Sequence, residues 1–247
     1  MDAPRRDRNG APALPAAVDV VVVGAGAAGM MAAIQAAGRG RRTLLLEKNE
    51  RPGLKILISG GGRCNLTTTK AGADLEAQYG ATRGRFLRHA LRAFPPTALR
   101  AFIEQAGVPL QEEDLDKLFP VSQRARDVVE ALLRLVDRSG AKLVGGAAVR
   151  GVERADGGGF VVRVDGGAVA AASVVLATGG LTYPKTGATG DAYAWCRALG
   201  HAVTATHPAL APLAVDAPST TMFFPSILRP SLILFRSSFF RFLSSST

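Results

Sequence analysis

Cysteine is nearly absent from this chain: Cys64 and Cys196 are the only two in 247 residues. They fit neither a C-x-x-C pair nor a Cys/His zinc spacing, so no disulfide framework and no metal centre is expected, and a reducing, cytoplasmic setting is. Aromatic residues make up only 6% of the chain against 28 glycines, a balance that disfavours a compact helical bundle and suits a fold with many strand-to-helix turns. Histidine is equally sparse. His89, His201 and His207 stand in no ligand spacing and beside no nucleophile. The chain also lacks a G-x-S-x-G elbow, a Walker lysine and an H-E-x-x-H pair, which removes the hydrolase, P-loop and zincin readings. No apolar run before residue 220 is long enough to span a bilayer, so no stable membrane insertion is expected. Residues 1–17 carry Arg5, Arg6 and Arg8 but no apolar core, which is the pattern of a disordered leader and not of a secretory signal.

What the chain does have is positive charge, a formal +10 with arginine dominating. An RNA or another anionic ligand must therefore be weighed as a partner beside a small-molecule substrate. The arginines are scattered among alanines and glycines, so compositional bias is the stronger explanation. Nothing in the sequence fixes an oligomeric state.

The apolar pattern predicts a doubly wound α/β domain. Val18 to Val23 is an uninterrupted β-branched run of the kind found in a strand covered on both faces. A helix is expected from Ala27 to Ala37 and a second apolar strand from Thr43 to Leu46, together a βαβ unit. Gly53 to Asn65 is glycine-rich and predicted to be a loop, with a polar stretch on to about Arg83. Helices are expected at Thr97–Gln105 and Arg124–Arg138, with a break at Leu118, Phe119 and Pro120 between them. Strands follow at Lys142–Val144, Ala147–Val152, Phe160–Val164 and Ser173–Leu176, with a hairpin at Gly157, Gly158 and Gly159. A last helix starts near Asp191 and ends by Gly200.

Gly24-Ala25-Gly26-Ala27-Ala28-Gly29 matches G-x-G-x-x-G directly between the first strand and its helix, with Glu47 and Lys48 at the tip of the next strand. In that context Gly24 permits the tight turn, Gly26 lets backbone approach a pyrophosphate, and Gly29 lets the helix pack closely. The helix N-terminus offers amides to the phosphates and Glu47 accepts from a ribose. This fingerprint alone leaves FAD and NAD both open. Farther on, Lys55 and the run Ser59, Gly60, Gly61, Gly62, Arg63, Cys64, Asn65 combine glycine amides with cations, a composition able to form an anion-binding nest; a flexible surface loop is the plain alternative.

From Val18 through Asn65 the chain resembles the BaiN/RdsA-type (YhiN-like) flavoproteins, also labelled aminoacetone oxidase family FAD-binding enzymes. GAGAAG, LLLEK and GLKILISGGGRCNLT carry the resemblance. It continues in Leu118-Phe119-Pro120-Val121-Ser122, in Ala177-Thr178-Gly179-Gly180-Leu181-Thr182-Tyr183-Pro184 and in Thr186-Gly187-Ala188-Thr189-Gly190-Asp191. The resemblance implies an FAD-dependent oxidoreductase of the two-dinucleotide-binding-domain type, with NAD(P)H as one candidate electron donor. It implies that Val149 meets the adenine through its backbone and that Ala177, Thr178, Gly179 and Gly180 form a second flavin contact. Lys55 and Arg63 become candidates for cations near the pyrimidine end of the flavin, with phosphate contact or simple solvent exposure equally open. Cys64 is either a reactive thiol, should the loop amides and Arg63 lower its pKa, or a small buried residue.

The implied division is an FAD-binding domain over 18–205 and the start of a second domain over 206–217. Over 218–247 glycine and alanine give way to serine, phenylalanine, leucine and isoleucine. Because no single period organises that segment, a non-native tail is favoured over an anchor or an amphipathic helix. The expected activity is flavin-dependent reduction of a conjugated C=C bond, with uracil in ribosomal RNA as one substrate. Two alternatives stand beside it: a catalytically silent nucleotide-binding fragment and a plain NAD dehydrogenase.

Overall fold

The computed structural model describes residues 14–207; the expected second-domain start beyond His207 and the 218–247 tail lie outside them, as do residues 1–13 of the expected leader. The chain opens with β1 (Ala17–Val23), α1 (Ala27–Ala37) and β2 (Thr43–Leu46), then α2 (Leu54–Ile58), β3 (Thr67–Thr68), α3 (Gly72–Gln78) and α4 (Ala81–Ala93). It continues through α5 (Pro96–Gln105), β4 (Leu110–Glu113), β5 (Lys117–Pro120), α6 (Ala125–Ser139) and β6 (Lys142–Val144). The last elements are β7 (Val149–Arg154), β8 (Phe160–Val164), β9 (Gly167–Leu176) and α7 (Asp191–Ala198).

The main sheet has the order β6-β2-β1-β9-β8-β7. Its β6, β2, β1 and β9 run parallel, and β9, β8 and β7 form an antiparallel meander. Side chains alternate across β1, which is why the run is apolar throughout. Val22 and Leu45 face a core closed by α1, α5 and α6. Val21, Val23, Leu44 and Leu46 face a second core with Val152, Val162 and Val169, against which Trp195 and Leu199 pack. Because α1 carries the chain to β2 on one side of β1 while β9 lies on the other, the strand order reverses between β1 and β9, where ligands bind in open α/β sheets.

Four stretches depart from expectation. The glycine-rich segment after Gly53 is a five-residue helix, α2, followed by a 3-10 turn at Ser59–Gly62; the flanking glycines conceal the single Leu-Lys-Ile-Leu-Ile turn that buries Ile56. The polar stretch folds into the hairpin α3–α4. The expected break at Leu118, Phe119 and Pro120 is strand β5, which pairs with β3 and β4 in a small antiparallel sheet. β9 also begins six residues before Ser173, through alanines whose low strand propensity conceals them.

Candidate dinucleotide site

The site starts from strand register. Val23 on β1 stands beside Leu46 on β2 and Leu176 on β9, so the three chains leave the sheet together. The ladder runs one step further, Gly24 N–H donating to Leu46 O at 2.7 Å, Ala177 N–H to Val23 O at 2.8 Å and Glu47 N–H to Val144 O at 2.9 Å. Gly24, Glu47 and Ala177, distant in sequence, thereby meet at one sheet edge. Gly24 has φ +101°, and a Cβ there would lie 2.6 Å from Ala177 O, so only glycine fits this turn.

α1 begins here with no side-chain cap and no acid in its first turn, leaving orphan amides and the positive end of the helix dipole for an external anion. Gly26, its N-cap residue, has open space where a Cβ would project. The Glu47 carboxylate is buried and turned toward this turn. Oε2 accepts from Ala25 N–H at 2.7 Å, and Oε1 accepts from the backbone and side-chain amides of Asn49 at 2.9 and 2.7 Å. Since each carboxylate oxygen can accept two bonds, Oε2 retains capacity for a hydroxyl donor.

Around this edge lies a cavity of about 660 Å³, within the usual range for cofactor sites. Gly24, Gly26, Ala27, Ala28, Glu47 and Lys48 line one part of it, and Val149, Ala177, Thr178 and Gly179 lie along its walls. Lys55, Ser59, Cys64 and Asn65 also line it, and apolar side chains from α5 and α6, among them Leu99, Ile103, Val128 and Leu132, close it. Gly29, Gly60, Gly61, Gly62, Arg63 and Gly180 are not among the lining residues.

Three side chains fasten the segment after β9 to the cavity rim. Lys55 Nζ donates to Thr182 O at 2.8 Å. Lys48 Nζ donates to Thr189 Oγ1 at 2.6 Å and to Asp191 Oδ2 at 2.7 Å. Asn49 reaches Thr186 O as well as Glu47. Burial works to raise the Asp191 carboxyl, but the hydrogen bonds from Lys48 and Thr189 outweigh it and hold the group below the ordinary carboxylate range. Asn49 was not signalled by any motif, because its contact with Thr186 joins positions more than a hundred residues apart.

Arg63 and Cys64 need correction. Arg63 Nη1 donates to Glu113 Oε2 at 2.7 Å and Gln123 Oε1 at 2.8 Å, and its guanidinium lies 4.2 Å from the Phe119 ring centroid. Its charge is therefore engaged on the small sheet and not in the cavity. The glycine nest is also partly closed, since Cys64 N–H donates to Ser59 O and Arg63 N–H to Gly60 O. Cys64 is 4% exposed, and burial pushes its thiol up against a smaller opposing hydrogen bond with Ser59, which overturns the reactive-thiol expectation. In native protein near pH 7.5 a disulfide reagent such as DTNB should consume the partly exposed Cys196, while Cys64 reacts only on unfolding. Two fast equivalents would contradict that assignment.

The family model described as HI0933-like protein Rossmann domain matches residues 18–222. The chain is 32% identical over 202 residues to the ribosomal RNA dihydrouridine synthase of Escherichia coli (strain K12), an alignment covering 81% of this chain and 49% of that protein. It is 33% identical over 196 residues to the 3-dehydro-bile acid delta(4,6)-reductase of Clostridium scindens, covering 78% and 47%. The chain thus spans about half the length of the curated relatives it matches. Among solved structures, the 3-ketosteroid-delta4-(5alpha)-dehydrogenase of Rhodococcus jostii RHA1 is similar with a TM-score of 0.47 at 20% identity, over 74% of this chain and 50% of that one. A match that starts within β1 and runs past α7 takes in the whole sheet edge described above, and with it this chain belongs to the HI0933-like family, whose Rossmann domain it carries.

Proposed function

We propose that the chain holds FAD by its adenosine and pyrophosphate and forms the dinucleotide-binding part of an oxidoreductase that reduces a C=C bond conjugated to a carbonyl. The uncapped α1 N-terminus opening on the cavity beside the Glu47 carboxylate is the observation that carries this reading. A Cβ at position 26 would enter the space that a diphosphate needs, and glycine leaves it open. Glu47 holds the turn through Ala25 and offers Oε2 to a ribose hydroxyl, while the first-turn amides of α1 neutralise phosphate oxygens. Lys48, Asn49 and Lys55 keep the segment 182–191 against the rim and so shield bound nucleotide from water. When bound, the flavin supplies the hydride chemistry.

The names of the two curated relatives support the reaction class. A uracil reduced to dihydrouracil and a bile-acid dienone reduced at its conjugated bonds are the same transformation, addition of hydride and proton across a C=C polarised by a carbonyl. Uracil in ribosomal RNA is the substrate we favour, with NAD(P)H as electron donor and the cytoplasm as the compartment. Absorbance and mass analysis of the nucleotide released from purified chain test the cofactor. FAD with its yellow two-band spectrum is expected, and release of a nicotinamide nucleotide instead would overturn the reading.

A further inference from the structure

The hairpin α3–α4 stands apart from the dinucleotide cavity, and α4 buries only Gly84 among its 13 residues. A Cβ at position 84 would collide with Glu76 O, so the helices touch through backbone there and most α4 side chains stay exposed, with Leu87, Arg88 and Leu91 half-buried. That outer surface is strongly basic: Arg83, Arg85, Arg88, Arg92 and His89 on one helix, with no lysine and no acid. Glu76 on α3 orders part of it, its side chain 11% exposed, with Arg88 Nε at 2.7 Å from Oε2 and Arg92 Nε at 3.5 Å from Oε1. A guanidinium has five donors, and one contact through Nε leaves the terminal nitrogens for another anion. Arg83 and Arg85 make no ion pair with a described residue. Between these two and the helix C-terminus, Phe86 is 85% exposed, the one large apolar side chain of α4 in the open.

We infer that α4 is a docking surface for single-stranded RNA, with Arg83, Arg85, Arg88 and Arg92 on phosphates and Phe86 stacked on a base. This rests on the RNA reading of the substrate proposed above and locates the contact outside the catalytic cavity. A lipid surface would require a continuous apolar face, whereas here a lone aromatic is flanked by arginines, the combination that single-strand binders use. Arginine in place of lysine suits forked contacts to phosphate. At 1.5 Å per residue the helix is about 20 Å long, enough to follow several nucleotides.

The test measures fluorescence anisotropy of a labelled single-stranded RNA of about 16 nucleotides with the full chain, across a salt series. Arg83→Glu/Arg85→Glu should weaken binding at least about tenfold at low salt and flatten the slope of log K against log salt by about 1 to 2, two phosphate contacts at roughly 0.7 each. Phe86→Ala should weaken binding about fivefold or more and leave that slope unchanged. Far-UV circular dichroism and flavin content should match the parent for both. Binding that ignores all three substitutions, or association with anionic phospholipid vesicles and not with RNA, overturns the inference. Because RNA binding needs no flavin, a chain that retains FAD yet binds RNA independently of α4 removes only this inference. A chain without FAD that binds RNA through α4 keeps it and removes the cofactor assignment.

Discussion

Gly29→Ala is expected to destabilise the chain by about 3 kcal/mol or more, the upper end for forcing one extra methyl into a packed site, which in a domain of this size lowers Tm by roughly 6 to 12 °C. The Cβ of residue 29 would overlap the carbonyl oxygen of Gly24, and Ala177 Cβ lies 3.3 Å away on the other side. Both neighbours are fixed, one as backbone in the turn and the other at the tip of β9, so α1 would have to lift from the sheet. That movement opens the turn itself and separates Val22 from Met30 and Ala33 in the buried core. Gly26→Ala is the matched control. Its φ is −81° and a Cβ there meets nothing within 4 Å, so stability should stay within about 0.5 kcal/mol of the parent while nucleotide retention falls. Thermal unfolding of the three proteins with and without ADP separates these effects. Gly29→Ala as stable as the parent would mean that helix and strand are not in the register described.

The parts of this arrangement that show in the sequence are those in which one local pattern has one physical solution. A β-branched run followed by glycines at fixed offsets and an alanine-rich helix leaves little besides β1, α1 and the turn between them, and Glu47 follows from the length of the crossover. Sequence pattern fails where long-range partners decide. Arg63 beside three glycines looks like an anion-binding cation, but Glu113 and Gln123, fifty and sixty residues away, claim it. Cys64 beside those glycines looks activated, yet its neighbours bury it. The alanines of β9 have no strand preference of their own; pairing with β1 on one side and β8 on the other makes them a strand. The hairpin α3–α4 is hidden for the opposite reason, since α4 buries only Gly84 and its arginine-rich sequence lacks the buried apolar stripe that marks a core-facing helix.

Glu47 shows the same dependence on context at the scale of single lone pairs, and Glu47→Gln should weaken binding of ADP about 10- to 100-fold. The carboxylate faces three donors, Ala25 N–H on one oxygen and two Asn49 N–H groups on the other. Glutamine has one acceptor oxygen. If that oxygen turns to Ala25, the new NH₂ points at the Asn49 donors; turned the other way, it points at Ala25. A donor is left unsatisfied in both cases, buried at Ala25 or half-buried at Asn49, at a cost of about 1–3 kcal/mol, before any loss at a ribose hydroxyl. Glu47→Asp keeps the charge but is one methylene too short to reach both donors. Calorimetry with ADP and 2′-deoxy-ADP then distinguishes a turn that has merely loosened from a lost ribose contact. In the parent, removing the 2′-hydroxyl should reduce affinity; in the glutamine variant, whose single oxygen satisfies two donors when turned to Asn49 and one when turned to Ala25, an NH₂ replaces the acceptor beside Ala25 and the two ligands should bind nearly alike. An equal penalty in both proteins would place the ribose elsewhere and reduce Glu47 to a brace for the Ala25 turn.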